Sequence, residues 1–315
     1  MFFIIFGIIV GITLPFQIAT NSKLQQTIAS SLQACLVNFI IGTIVLSILT
    51  LFTGQSLEIS TNFIQSVPSW IWLGGILGVI YQMGNILLFP RLGGVQTVLM
   101  PILGQIFGSL IIDNFRLFDS PFHAITFFRI LGVILVLLGI LTTVVLPKYS
   151  INRYRLIGFK NKSFSGNIGW QLLGIVCGIV NACQVAINGD LGRVLNSPSK
   201  ASYISLFTGT ILLLVIVYLF DRPSIKKLEY RLNKYNTWWL WIGGIFGAAF
   251  VFGNSFLVPI LGTGMTVSIV LVGQLSGSLL IDEFGWVGVK KNPINLLQII
   301  GILVMILGIF IIKLF

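Results

Sequence analysis

Apolar residues run along this chain in long unbroken blocks, not in alternation. Ten blocks stand out: roughly 2–20, 32–52, 70–90, 93–112 and 126–146, then 168–188, 202–220, 238–258, 262–281 and 296–314. A block of ~20 apolar residues carries an α-helix across the hydrocarbon of a bilayer. A membrane-barrel strand would instead alternate over about ten residues. The pattern therefore predicts an all-α integral membrane protein with ten transmembrane helices. Blocks three and four are separated only by Pro90-Arg91-Leu92-Gly93, and blocks eight and nine only by Pro259 to Gly262, which predicts two tight helical hairpins.

The polar positions show that one unit is written twice. Gly104-Gln105-Ile106-Phe107-Gly108-Ser109-Leu110-Ile111-Ile112-Asp113 returns as Gly273-Gln274-Leu275-Ser276-Gly277-Ser278-Leu279-Leu280-Ile281-Asp282, an offset of 169. The same offset carries Gly74, Gly78, Gly84, Asn85 and Pro90 onto Gly243, Gly247, Gly253, Asn254 and Pro259. Nearer the amino terminus the offset is 167, carrying Gly7, Gly11, Gln17 and Asn21 onto Gly174, Gly178, Gln184 and Asn188. The units are residues 1–147 and 168–315, joined by a basic linker at 148–167. Five spans is an odd number, so two copies joined without a further span lie in opposite orientations. Inverted repeats of this kind are an architecture of secondary transporters.

Composition agrees with a bilayer environment. Hydrophobic residues make up 56% of the 315 and charged residues 9%, where a soluble domain carries about 25% charged residues. The net charge of +11 sits in the loops, which argues against a basic nucleic-acid-binding face. Fourteen Lys and Arg fall on the side of the linker, and five on the other. Basic loops face the cytoplasm, so both termini are expected outside an inner membrane. Trp70, Trp72, Trp238, Trp239 and Trp241 open two of the blocks, where they suit the headgroup level. Cys35, Cys177 and Cys183 have no metal or redox spacing and are expected to pack.

The sequence predicts no enzyme. It holds no serine–histidine–acid set, no paired carboxylates on one helix face, no metal-ligand cluster and no phosphate-cradling loop, and it calls for no cofactor. Asp113 and Asp282 are expected at the membrane interface, and His123 in a solvated loop. What the blocks do carry is amides: Gln17, Asn21, Gln82, Asn85 and Gln105, with Gln184, Asn188, Asn254 and Gln274 at matching places. Polar groups in hydrocarbon are costly and face the bundle interior or a wet cavity. Counted along the blocks, Gln105 and Gln274 fall near the midplane. Gln17 with Asn85, and Gln184 with Asn254, fall toward two opposite mouths, and Gln82 shares a helix face with Asn85. Such amides also serve as interhelical glue, and the glycines spaced four apart allow close helix packing.

Two five-helix units carrying Gly-Gln-x-x-Gly-Ser-x-x-x-Asp in the fourth helix and Gly-Gly-x-x-Gly-x-x-x-x-x-Gly-Asn in the third resemble the YdcZ-type branch of the drug/metabolite transporter (EamA/DMT-like) superfamily. The resemblance implies a ten-helix transporter moving a small molecule across a bacterial-type inner membrane. Its cavity would be lined by the first, third and fourth helices of each half. Small multidrug members of the superfamily carry a proton-exchanging glutamate in the first helix; here Gln17 and Gln184 are offered instead. The expected function is a secondary transporter or facilitator for a small polar metabolite, working by alternating access. The expected contacts are Gln105, Gln274, Asn85, Asn254, Gln17, Gln184 and Gln82, and Gln105→Ala with Gln274→Ala is expected to abolish transport. The alternatives are a non-transporting membrane subunit or scaffold, or a lipid-moving relative. The expected partners are a small-molecule substrate and the bilayer, in a monomer or homodimer.

Overall fold

The structure, a computed structural model, describes the backbone of residues 1–28, 30–144, 146, 168–221, 238–288, 291 and 293–314. It describes their side chains apart from 85–86, 89–99, 144, 238 and 313–314. The basic linker 148–167 and the whole basic loop 222–236 lie outside the described residues. The helices are α1 (Phe2–Ile28), α2 (Ser31–Phe52), a short α3 (Thr61–Ser66), α4 (Gly74–Phe115), α5 (Phe127–Val144), α6 (Ile168–Val194), α7 (Pro198–Phe220), α8 (Ile242–Leu261), α9 (Thr263–Phe284) and α10 (Leu296–Leu314). Among the described residues, six helices are long and apolar enough to cross a membrane. Met100–Phe115, Phe127–Thr143 and Leu296–Ile312 are shorter apolar helices.

The distribution of side chains is inside-out relative to a soluble protein. Ile5, Ile44, Leu138, Leu172 and Leu303 are exposed, while Gln17, Asn38, Gln105, Asp113 and Ser202 are buried. Lipid solvates the first group, so the interior is where the polar groups find partners. Cys35 and Cys177 are buried and unbridged, as packing residues are.

Two boundaries differ from the apolar pattern. α1 and α6 each run for 27 residues, longer than blocks 2–20 and 168–188. Asn21 to Thr27 and Gly189 to Arg193 are polar enough to leave an apolar count. They contain no proline, and Thr27 Oγ1 bonds the Lys23 carbonyl at 3.0 Å, so the helix continues.

α4 is helical over 42 residues, where two separate helices were expected. It is not straight. At 1.5 Å per residue, 24 residues would separate two groups by ~36 Å, yet Gln105 Nε2 donates to the Tyr81 hydroxyl at 3.3 Å. Leu88 also packs with Met100. The chain therefore folds back between Leu88 and Met100, giving a first arm (74–88) and a second arm (100–115). At the matching place in the second half the chain breaks at Gly262, with φ +79, between α8 and α9.

The two halves interlock. α1 lies antiparallel to α8, with Val10 against Gly253, Gln17 against Gly247 and Thr20 against Gly243. It lies parallel to α9, where a Cβ on Gly11 would come within 2.8 Å of Gly273 Cα. The second half repeats this: α6 sets Cys177 against Gly84 and Gln184 against Gly78 on the first arm of α4, and Gly178 against Pro101 and Gln105 on the second arm. The remaining helices pair with their own counterparts. α2 meets α7 antiparallel, with Thr43 Oγ1 and Thr210 Oγ1 3.0 Å apart. α5 meets α10 antiparallel, with Gly132 against Gly308 and Gly139 against Gly301. Gly11, Gly104, Gly178 and Gly273 each face backbone of the opposite half, the close approach that glycine permits.

Candidate functional site

A cavity of about 50 Å³ lies where the two halves meet. One water needs roughly 10–15 Å³ on this measure, so the cavity holds a few waters. It is lined by Leu14, Gln17, Asn38, Phe39, Gly78, Tyr81, Gln82, Asn181, Gln184, Leu206, Gly247, Phe250 and Val251. Twelve of these thirteen are repeat counterparts of one another. Leu14 pairs with Asn181, Gln17 with Gln184, Phe39 with Leu206, Gly78 with Gly247, Tyr81 with Phe250 and Gln82 with Val251. The cavity thus sits on the relation that exchanges the two halves. Its polar groups are five amides and the Tyr81 hydroxyl, and no charged side chain lines it. It can donate and accept hydrogen bonds without titrating.

The structure divides the predicted site residues. Gln17, Gln184 and Gln82 line the cavity. Gln105 does not reach it directly but bonds Tyr81, which does. Gln274 is only half-buried and lies off the cavity. Asn254 is buried and spends its amide on the Phe250 carbonyl of its own helix, 2.8 Å away. The side chain of Asn85 lies outside the described residues.

Gln17 and Gln184 were expected at opposite mouths, and they converge on one cavity instead. The reason is helix length. Because α1 and α6 run for 27 residues, residues 17 and 184 fall near mid-helix, not near an end. Asn38, Asn181 and Tyr81 were missed. Pairing amides across the repeat could not find them, since their counterparts are Ser205, Leu14 and Phe250. A plain search for polar residues in mid-block would have found Asn38 and Asn181.

The charged groups gather at helix ends. Asp113 lies at the end of α4, and its side chain is fully buried within the protein. Its Oδ1 accepts from Ser120 Oγ and the Thr263 backbone N–H, both at 2.9 Å. Its Oδ2 accepts from the Gly264 N–H at 2.8 Å and from Arg129 Nη2 at 3.0 Å. Arg129 Nη1 in turn donates to the His123 carbonyl at 2.7 Å. The His123 ring is partly exposed, 3.8 Å from Asp113. A carboxylate with four donors is one whose burial is repaid. Nearby, Arg193 bridges Asp190 at 2.5 Å and Asp119 at 3.7 Å. Among the described residues there is no cluster of three or more His, Cys, Asp or Glu that could hold a metal ion.

Comparisons with known proteins bear on the family and the fold. Residues 2–142 and again 169–311 match the protein family described as "Putative inner membrane exporter, YdcZ". "Inner membrane protein YdcZ" of Escherichia coli (strain K12) is 31% identical over 134 residues, covering 42% of this chain and 89% of that protein. A solved crystal structure, 14% identical, superposes with a TM-score of 0.60 over 98% of this chain and 97% of its own, and so shares the fold. With the family matched in both halves, the chain belongs to the YdcZ family of the drug/metabolite transporter superfamily, as two repeated units in one multi-pass inner-membrane protein.

Proposed function

We propose that this protein is a ten-helix transporter built from two inverted five-helix repeats, residues 1–147 and 168–315, with 148–167 as a cytoplasmic linker and both termini outside. It moves a small polar metabolite by alternating access. The central cavity is the substrate site, with Gln17, Gln184 and Gln82 as contacts. Gln105 acts through Tyr81. Asn254 and Gln274 have supporting places, with Asn85 on the helix arm beside the site.

The observation that carries this reading is the lining itself. Six repeat-related pairs surround one mostly apolar cavity, into which amides and a hydroxyl but no charged side chain are set. An inverted repeat places a shared site at the interface of its halves, open to each side by turns. A scaffold has no need of polar groups converging on the relation between its halves. At about 50 Å³ the cavity is small. Ligand pockets run to roughly 300–1,000 Å³, so the halves part to admit substrate.

The test is labelling of Gln184→Cys, in a protein whose Cys35, Cys177 and Cys183 are replaced by alanine, with a membrane-impermeant maleimide. Labelling from both faces of oriented vesicles is expected. Labelling from one face only, or from neither, removes alternating access through this cavity and returns the scaffold alternative.

A further inference from the structure

Buried hydroxyls and amides in this fold settle on carbonyls of their own helix. Thr50 donates to the Leu46 carbonyl at 2.7 Å, Ser268 to Gly264 at 2.8 Å and Asn254 to Phe250 at 2.8 Å. Six residues among those described keep a buried polar atom without a partner; Gln33 and Thr266 stand alone, and the repeat relates the other four in two pairs. Asn38, 4% exposed, has neither Nδ2 nor Oδ1 bonded; its counterpart Ser205, 2% exposed, has an unbonded Oγ. Asn21 Oδ1 and its counterpart Asn188 Oδ1 also lack a partner. A buried polar group left unpaired costs stability, and the fold carries that cost at the same places in both halves.

Asn38 lines the cavity, and Asn21, Asn188 and Ser205 lie beyond its wall. A Cβ on Gly247, in the cavity wall, would come 2.7 Å from Gln17 Nε2 and 3.3 Å from Asn38 Oδ1. One turn along α8, a Cβ on Gly243 would come 3.3 Å from Asn21 Oδ1. In the other half, a Cβ on Gly78 would come 2.5 Å from Gln184 Nε2. One turn before it, a Cβ on Gly74 would overlap Asn188 Oδ1 and lie 3.3 Å from Ser205 Oγ. One turn is about 5.4 Å of helix. Counterpart helices of the two halves run antiparallel where they meet, so the two steps lead from the cavity toward opposite faces.

We propose that Asn38 and Ser205, with Asn21 and Asn188 beyond them, are hydrogen-bonding stations for a neutral solute bearing a donor and an acceptor side by side: a carboxamide, urea or lactam. This rests on the central cavity being the transport site. Every polar group along both steps is an amide or a hydroxyl, which both donates and accepts. Asn38 offers an unpaired donor and acceptor on one carbon, the complement of another amide edge. A cation or anion would meet no opposite charge in the cavity and would forfeit its hydration.

Thermal unfolding of the full-length, detergent-purified protein with nicotinamide and uracil, against choline and lactate, tests this in the parent, Asn38→Leu and Ser205→Ala. The amide probes are expected to raise the parent Tm and the charged probes to leave it unchanged. Asn38→Leu, without any probe, is expected to unfold at or above the parent Tm, because an apolar group of similar size replaces an unpaired amide. Its apparent affinity for the amide probes is expected to fall at least tenfold, with Ser205→Ala weakened in the same direction. An Asn38→Leu protein that keeps the full probe shift overturns the proposal. So does a parent that responds to choline or lactate and to neither amide. Silence from all four probes, with Gln184→Cys labelled from both faces, overturns the solute class and leaves the cavity standing. The same silence with one-sided labelling takes the transport reading with it.

Discussion

The Asp113 carboxylate accepts the backbone N–H of Gly264, 151 positions away in the other half, at 2.8 Å. It accepts the neighbouring Thr263 N–H at 2.9 Å. The N-cap of α9 is Gly262, which has no side chain to cap the helix, so its first N–H groups would be orphaned. Asp113 supplies the cap across the halves, at the positive end of the helix dipole. Asp113→Ala would strip that cap and leave Arg129, 3% exposed, without its carboxylate. Breaking a buried pair costs about 3–5 kcal/mol. A large fall in Tm is expected, with Asp113→Ala/Arg129→Met together losing less than the sum of the two. An additive double variant would show that the two residues do not act as a pair.

The glycine contacts predict sharp positional differences. A Cβ on Gly11 would overlap the Val270 carbonyl, and one on Gly178 the Pro101 carbonyl, whereas one on Gly169 meets nothing within 4 Å. Overpacking costs about 1–3 kcal/mol. Gly11→Ala and Gly178→Ala are each expected to lower the Tm by several degrees, while Gly169→Ala leaves it within a degree. Equal Tm values for all three would contradict the helix contacts described above.

Thr43 and Thr210 meet at 3.0 Å between their hydroxyl oxygens. In a protein without its native cysteines, Thr43→Cys/Thr210→Cys is expected to form an intramolecular disulfide under mild oxidation. Protease cleavage within 148–167 then separates the halves on a reducing gel only. Free separation after oxidation would place α2 and α7 further apart than found.

Gln105 and Gln274 occupy matching positions but different surroundings, and they should differ in effect. Gln105 holds Tyr81, a cavity residue. Removing one hydrogen bond that positions a site group costs about 1 kcal/mol. Gln105→Ala is expected to weaken probe binding several-fold, and Gln274→Ala less than twofold, by titration of the Tm shift. Equal losses would return Gln274 to the site.

The charge count predicts orientation. Reporter tags at both termini are expected to be protease-accessible from outside intact spheroplasts, and a tag in 148–167 only after lysis. A terminal tag protected until lysis would invert the topology proposed here.

Sequence alone determined the bilayer as solvent, the helical class and the duplication. Unbroken apolar blocks leave no other way to satisfy the backbone in hydrocarbon, and Gly104-Gln105 with Gly273-Gln274 is a pattern that survives without coordinates. The fold-back in α4 was also legible, since Pro90 sits between two blocks too long to be one span. Tertiary structure decided which polar groups meet. Depth counted along a block misplaced Gln17 and Gln184, because helices continue through polar residues such as Asn21 to Thr27 that an apolar count discards. Matching amides across the repeat selected Asn254, which bonds its own helix, and passed over Asn38, whose counterpart is a serine. The burial of Asp113 was not legible because its four donors arrive from 7 to 151 positions away. Periodicity reports the environment of a helix face, which is local. A cavity shared by two halves is made by which faces are brought together, and only long-range packing sets that.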